Sequence, residues 1–262
     1  MLIPDTLRQD DMPMMVYYLC KYVKSGEYKE EEVINHLTGF TFEVDSKSNP
    51  IKNVINFSKD SFISVDKSTG FFTTSFTDEE LVDFAAFSAA VLKKLELNEE
   101  NKFNKMLKWL LEDKRELSKY NTADSFLPAM NIKNINNANI IHGFLFWCEM
   151  LGIITFDGRK KGSVTYSLDS VISKVVTSND SFMNKGSMPA KEFFELLGNY
   201  VFFIPMCIKN NKVSYPLSQA IRILEYSGVL KIENMQDSGD VWHLEQSNAF
   251  ISGNHFTNIK VC

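Results

Sequence analysis

The spacing of apolar residues near the amino terminus predicts three short helices. Apolar side chains return every three or four positions between Met14 and Val23, which is the period of an amphipathic helix. Residues 30–37 and 51–57 show the same period over shorter lengths. Pro13 suits the first turn of the first helix. The chain therefore begins with a small helical cluster.

A hairpin is predicted directly after these helices. Residues 62–65 and 71–74 are two β-type segments on either side of a polar turn. Three helices followed by a hairpin is the order of a winged helix. We assign residues 1–76 to an N-terminal winged-helix-like module.

Residues 77–126 read as a helical segment. Thr77 and Glu80 have the spacing of a capping box. One helix is predicted from about residue 81 to 95 and another from about 99 to 120, each with one apolar and one charged face. The segment is either a helical spacer with a solvated face or a docking surface for a partner helix.

Residues 127–180 form a second predicted module. A strongly apolar helix over 140–151 is ended by Gly152, since glycine readily adopts the left-handed conformation that closes a helix. A hairpin over 153–168 follows, and Asp157-Gly158 at its centre is a strong turn signal.

A third module of the same design is predicted over residues 187–262. A helix opens at Pro216 and ends at Gly228. Strands at 229–232 and 241–244 complete a second glycine-led hairpin. The predicted fold is mainly α with small β-hairpins (α+β), built as tandem winged-helix-like modules joined by a helical segment.

Composition predicts an ordinary globular protein of the cytoplasm. Of the 262 residues, 44% are hydrophobic and 23% are charged. The sequence has neither a secretory signal pattern nor an apolar run of membrane-spanning length. Its cysteines are far apart, which favours reduced thiols over a zinc site or disulfides: Cys20, Cys148, Cys207 and Cys262.

The net charge of −5 argues against an autonomous DNA-binding domain, because neutralisation of phosphates normally requires a basic surface. The charge is −3 over residues 1–76, −3 over 77–126 and +1 over 127–262. A local basic stripe in the last part remains compatible with this balance.

The sequence contains no motif that indicates a catalytic site. There is no phosphate-binding glycine loop and no zinc-binding His-Glu-x-x-His helix. Glu112, Asp113 and Lys114 have the composition of a nuclease site, but they lie on a charged helix and are read as its solvated face. The four histidines are read as isolated structural residues: His36, His142, His243 and His255. We predict a protein that is not an enzyme and has no cofactor or metal.

The predicted nucleic-acid contacts are cations of the second and third modules. Arg159, Lys160 and Lys161 lie at a hairpin tip, where they repel one another and would gain from a phosphate backbone or an acidic partner. The third module has a thinner basic set, of which Lys212 and Arg222 are the predicted contacts: Lys209, Lys212, Gln219 and Arg222. The alternative for the tip is a charged turn that serves only solubility.

An apolar cluster predicts a partner surface. Phe144, Phe146 and Trp147 exceed what one small helix normally buries. They belong either to the core or to a contact with another module or subunit.

The chain resembles winged-helix accessory proteins of bacterial anti-phage defence loci. The resemblance rests on the opening Leu2-Ile3-Pro4-Asp5-Thr6-Leu7 before the first helix, and on helix ends that read Leu-Gly-Ile-Ile and Ser-Gly-Val-Leu. The DpdG type is the notable example, and the layout also resembles accessory subunits of Lamassu-type SMC-like complexes. The resemblance implies an accessory, non-catalytic role in a multi-protein system.

Three functions follow as hypotheses. The first is a non-enzymatic adaptor of a bacterial defence or DNA-maintenance complex, with an SMC-like ATPase or nuclease as partner and DNA contacted by the basic wing. The second is an autonomous DNA-binding transcriptional regulator. The third is a metal-dependent nuclease that uses Glu112 and Asp113. A small-molecule substrate and a membrane partner are not expected.

Overall fold

Short helices and shorter strands follow one another in the computed structural model of the protein. The structure describes residues 1–7, 12–38, 50–112, 117–120, 123–133, 135–156, 164–235, 240–245 and 254–262. The chain divides into two compact units, unit 1 (Met1–Lys105 with Ala123–Leu151) and unit 2 (Met106–Thr122 with Gly152–Cys262). No helix within the described ranges is both long and apolar enough to cross a membrane. The predicted mixture of α and β structure with small sheets is confirmed.

Unit 1 is built mostly from helices. Its elements are α1 (Pro13–Lys24), α2 (Glu30–Thr38), α3 (Pro50–Ser58), β1 (Ser64–Val65), β2 (Phe72–Thr73), α4 (Phe84–Lys94), α6 (Ala123–Met130) and α7 (Ala138–Met150). Helix α5 (Lys102–Glu112) contributes residues to both units. The three predicted amino-terminal helices are confirmed.

The predicted hairpin after these helices is also confirmed. β1 and β2 pair antiparallel, with Ser64 opposite Thr73 and Val65 opposite Phe72. The Phe72 amide donates a further hydrogen bond of 2.9 Å to the main-chain oxygen of Tyr28. The segment between α1 and α2 is thereby attached to the outer side of β2.

The helical segment that begins at residue 77 is more broken than predicted. The capping box is present, but Thr77 and Glu80 close a 3₁₀ turn at Glu79–Leu81 instead of a long helix. Helix α4 has its own cap, because the Asp83 carboxylate accepts a 2.7 Å hydrogen bond from the Ala86 amide. A second 3₁₀ turn, Leu117–Lys119, lies where one continuous helix was expected.

Aromatic rings from distant parts of the sequence fill the core of unit 1. Between ring centroids, Trp147 lies 5.3 Å from Phe62 and 5.7 Å from Phe57. Phe144 meets Phe103 edge-on at 5.4 Å. Because these rings enclose them fully, Phe144 and Trp147 are core residues and do not form the predicted partner surface.

Unit 2 alternates helices with short strands. It contains β3 (Ile154–Phe156), β4 (Val164–Tyr166), α8 (Leu168–Ser178), α9 (Asp180–Met183), β5 (Ser187–Pro189), α10 (Ala190–Gly198), β6 (Ile208–Lys209), β7 (Lys212–Val213), α11 (Tyr215–Tyr226), β8 (Leu230–Glu233), β9 (Trp242–Leu244), β10 (His255–Phe256) and β11 (Asn258–Val261). β3 and β4 pair antiparallel, so the first predicted glycine-led hairpin is confirmed.

The second predicted glycine-led hairpin is wrong. β8 pairs with β11, which places Ile232 opposite Ile259, and β9 pairs instead with β7 and β10. β11 lies between β5 and β8 in a three-stranded antiparallel sheet and buries Ile259 completely. Pairing each strand with the next strand in the sequence does not predict the β8–β11 pair, because β9 and β10 lie between these two strands in the chain.

The ends of α7 and α11, which the sequence presents as repeats, are alike only from the helix end to the following strand. Gly152 and Gly228 both follow a helix with positive φ, +70° and +75°, and each leads into a strand. After that strand the two segments diverge. The contacts also place a unit boundary between Leu151 and Gly152, inside the predicted second module of residues 127–180.

Candidate functional site

Four basic side chains form a row across the sheet of β6, β7, β9 and β10. Lys209 is directly opposite Lys212, Lys212 is opposite His243, and His243 is opposite His255. Directly paired residues project from the same face of a sheet. We call this set of four residues the basic row.

The other face of the same sheet is apolar and covered. Side chains alternate in direction along a strand, so the neighbours of the row point to the opposite side. These neighbours are buried: Val213, Trp242, Leu244 and Phe256. Phe194 of α10 packs on them, with its ring centroid 5.0 Å from that of Trp242. The basic row therefore lies on the solvent side, where Lys209, Lys212 and His255 are exposed and His243 is half-buried.

A two-residue turn brings the lysines together. Asn210 and Asn211 both have positive φ, 51° and 60°. Asparagine tolerates this conformation better than most residues. Positive φ at both central residues is what a two-residue hairpin turn requires. The His243 amide donates a 2.9 Å hydrogen bond to the main-chain oxygen of Asn211, which joins the turn to β9.

The two lysines of the row have no acidic partner among the described residues. Like charges directly opposite each other on two strands are destabilising. Within the described part of the chain, no carboxylate lies within 4.0 Å of the Lys209 or Lys212 ammonium group. Phosphate groups would relieve this repulsion, and they are the usual partners of exposed lysines at nucleic-acid surfaces.

The two histidines of the row contact each other through their ring nitrogens. His243 Nδ1 and His255 Nδ1 are 2.7 Å apart, and the rings are nearly perpendicular at 89°. A hydrogen bond at this distance requires one nitrogen to donate its hydrogen and the other to accept it.

Arg222 does not belong to the predicted nucleic-acid surface. Its side chain is only 1% exposed. It donates to the main-chain oxygen of Glu245 at 2.5 Å and to Asn254 Oδ1 at 2.7 Å. Burial lowers the pKa of its guanidinium group, against the opposing effect of Glu225, Tyr215 and Glu245. Arg222 is an anchor for the strands that carry the histidines.

Ser218 lies one helical turn before Arg222 in α11 and adds two hydrogen bonds to this anchor. Its hydroxyl accepts a 2.9 Å hydrogen bond from the Glu245 amide and donates a 3.0 Å bond to the main-chain oxygen of Val213. One buried side chain of α11 thus joins the ends of β7 and β9. The helix sets the position of the row without supplying any residue to it.

The remaining predicted site residues have different outcomes. Lys212 lies in the basic row, while Arg159, Lys160 and Lys161 lie outside the described residues. Phe146 is half-buried, with its ring centroid 6.5 Å from that of His142. The sequence prediction missed the site roles of His243 and His255, because their relation depends on strand pairing and leaves no motif in the spacing.

Metal-ligating residues do not cluster in the described part of the chain. No group of three or more His, Cys, Asp or Glu side chains is arranged there to hold a metal ion. Glu112 is exposed at the end of α5, and Asp113 and Lys114 lie outside the described residues.

Comparison of the chain with protein-family models, with curated proteins and with solved structures finds no match.

Proposed function

We propose that this chain is a non-catalytic, winged-helix-type subunit that contacts the phosphate backbone of a nucleic acid through the basic row. The observation that carries the proposal is the alignment of Lys209, Lys212, His243 and His255 on the uncovered face of one sheet. Contacts of this kind position a protein on nucleic acid without reading the bases.

The order of elements in unit 2 supports the winged-helix part of the proposal. Helix α8, strand β5, helices α10 and α11, and strands β8 and β11 follow one another, and β11 lies between β5 and β8. A winged helix has this order, with its last strand in the centre of a three-stranded antiparallel sheet. The sheet of the basic row is formed by two insertions into this frame, one before α11 and one between β8 and β11.

The amino-terminal elements support a second copy. Helices α1, α2 and α3 precede the β1–β2 hairpin, and the hydrogen bond from Phe72 to Tyr28 gives β2 an additional neighbour on its outer side. That neighbour stands where a winged helix has its first strand.

The surface of α11 favours backbone contact over base reading by unit 2. This helix holds the position of a recognition helix, but its only arginine, Arg222, is buried. Its exposed large side chains are Ile223 and Tyr226, 40% and 88% exposed. Base edges in the major groove are read mainly by exposed Arg, Lys, Asn and Gln.

Binding of duplex DNA by the whole chain tests the proposal. Fluorescence anisotropy with a labelled duplex of mixed sequence at low salt should detect salt-sensitive binding. The double variant K209E/K212E should lose about tenfold or more in affinity. The matched control K174E/K191E changes the net charge equally at exposed lysines outside the row and should bind almost as the parent. Equal losses in both variants, or no binding by the parent, would refute the proposal.

An autonomous regulator is the second candidate, and one observation favours it. Helix α3, in the recognition position of the amino-terminal copy, exposes Lys52 and Asn56. Both residue types read bases. Selection from a random duplex pool should then enrich one motif that K52A/N56A no longer selects. A pool without enrichment removes this candidate.

The adaptor role in a bacterial defence or DNA-maintenance assembly, with an SMC-like ATPase or nuclease as partner, stays a prediction, as does DNA contact by residues 159–161. Purification of the tagged chain from its native cells tests the assembly. A stable, specific partner set is expected, and a chain recovered strictly alone contradicts it.

A further inference from the structure

We propose that phosphate binding at the basic row is coupled to proton uptake by His243 and His255, so that affinity for nucleic acid rises as the pH falls. This inference rests on the proposed function and adds its regulation. The lysines of the row would supply a constant attraction, and the histidine pair would supply the part that depends on pH.

The contact between the two rings limits how many protons the pair can hold. The accepting Nδ1 carries no hydrogen, so at least one of the two imidazoles is uncharged while the 2.7 Å contact exists. If both rings become cations, both Nδ1 atoms carry hydrogens and the contact must open. The pair can therefore take up one proton, on the free Nε2 of the donating ring, with the contact intact, and a second proton requires the contact to open.

The groups that face the pair determine whether the additional proton is favourable. Lys212 is opposite His243 on β7, and Lys209 lies one strand further on β6. Both ammonium groups oppose another positive charge. Glu245 follows β9 directly, two residues after His243, and its side chain is exposed. Among these three groups the cations outnumber the carboxylate when no ligand is bound.

A phosphate group reverses this balance. Its negative charge next to the row stabilises protonated imidazoles and gives each free Nδ1 hydrogen an acceptor oxygen. Since anion binding favours proton binding, proton binding must favour anion binding by the same factor. The sign is fixed: affinity is higher where the rings are protonated and falls as the pH rises through their titration. Uptake of one proton changes affinity by at most about tenfold for each pH unit.

The pH profile of binding separates this coupling from the fixed charge. We would measure duplex affinity at constant ionic strength between about pH 8 and about pH 5.5, the range in which histidines titrate. The parent should gain about tenfold in affinity toward acid. H243Q/H255Q should stay within about twofold across the range, and the control H142Q in unit 1 should follow the parent.

Circular dichroism at each pH, with the single variants H243Q and H255Q, shows whether the fold is retained. A double variant that is folded and keeps the parent's pH profile overturns the coupling while leaving the proposed function intact. A parent that binds no duplex at any pH overturns the proposed function instead.

A second measurement tests the coupling without nucleic acid. The ¹⁵N spectra of the imidazoles report their titration in the presence and absence of inorganic phosphate. Phosphate should move the titration of His243 and His255 to higher pH and leave His142 unchanged. Identical titrations in both solutions would refute the coupling, whatever the source of phosphate.

Discussion

Arg222 donates a hydrogen bond of 2.7 Å to the side-chain oxygen of Asn254, and the same guanidinium group also holds the main-chain oxygen of Glu245. Asn254 precedes β10 and Glu245 follows β9, so one buried cation joins the bases of the two strands that carry the histidine pair. The position of the basic row therefore depends on a residue that does not belong to it.

Replacement of Arg222 should destabilise the fold. R222M leaves two partly buried acceptors without this donor, and hydrogen bonds from a charged group are the stronger kind, so we expect a loss of about 2–3 kcal/mol in the free energy of unfolding. Urea unfolding measures it. K174M, at an exposed site of the same unit, should change stability by less than about 0.5 kcal/mol. An R222M loss no larger than this control would show that the anchor contributes nothing.

The two glycines that follow α7 and α11 should respond differently to alanine. Both have positive φ, which alone costs an alanine about 1 kcal/mol. An added Cβ at Gly152 would lie 3.3 Å from Val171 Cβ, whereas at Gly228 nothing lies within 4 Å. G152A should therefore lose about 1 kcal/mol more than G228A in urea unfolding. Equal losses would mean that Val171 moves aside freely.

The capping box should contribute a stability that is lost in acid. Glu80 accepts hydrogen bonds from the Lys94 ammonium at 2.5 Å and from the Thr77 amide at 2.9 Å. Burial raises the pKa of its carboxyl group, but these bonds outweigh burial, and the pKa is lowered from its ordinary value of 4.5. A lowered pKa gives stability that is present above the unfolded value and is lost as the pH falls through the folded one.

E80Q should therefore be less stable than the parent by about 1 kcal/mol at pH 7. The difference should shrink below about pH 4, where the parent's carboxyl group also takes up its proton. Urea unfolding at both pH values measures it, with E31Q at an exposed position of α2 as the control. A difference that stays constant with pH would contradict the assignment.

One cysteine should react far faster than the other three. Burial raises the pKa of the Cys20 and Cys207 thiols to about 12 and that of Cys148 well above its ordinary value, whereas Cys262 is exposed. Thiolate is the reactive form, so a water-soluble disulfide reagent at about pH 8 should label one thiol quickly and the rest only after unfolding. C262S should abolish the fast phase. Two or more fast thiols in the folded parent would contradict the burial.

The salt dependence of binding should report the two lysines separately from the net charge. Each phosphate contact on duplex DNA adds about 0.9 to the slope of log affinity against log salt, so K209Q/K212Q should reduce that slope by roughly 2. K174Q/K191Q should keep the slope of the parent. Superimposable slopes for the parent and K209Q/K212Q would mean that neither lysine contacts a phosphate.

Local features of the fold could be predicted from the sequence. The pairing of Thr77 with Glu80 was found because capping depends on residues three positions apart. The β3–β4 hairpin could be predicted because its strands are neighbours in the chain and the sequence between them contains Asp-Gly, a strong turn signal. The role of Gly152 as a helix end was found for the same reason, since its conformation follows from the adjacent helix.

The candidate site could be predicted only in part. Lys212 and Arg222 looked alike as cations of one segment, but the first is exposed and the second is buried. Burial depends on what covers a side chain, and the bonds to Glu245 and Asn254 come from residues well beyond the helix. His243 and His255 looked isolated because their contact requires β9 and β10 to be neighbours.

The sequence by itself determined the ends of the three amino-terminal helices and of α7, the apolar faces, and the pairing of β1 with β2 and of β3 with β4, because those features depend on side chains only a few positions apart. Tertiary structure alone decided that β11 pairs with β8, that Trp147 is enclosed, and that two lysines and two histidines share one face. Distant segments compete for the same buried positions. The spacing of residues within one segment does not predict which segment will occupy them.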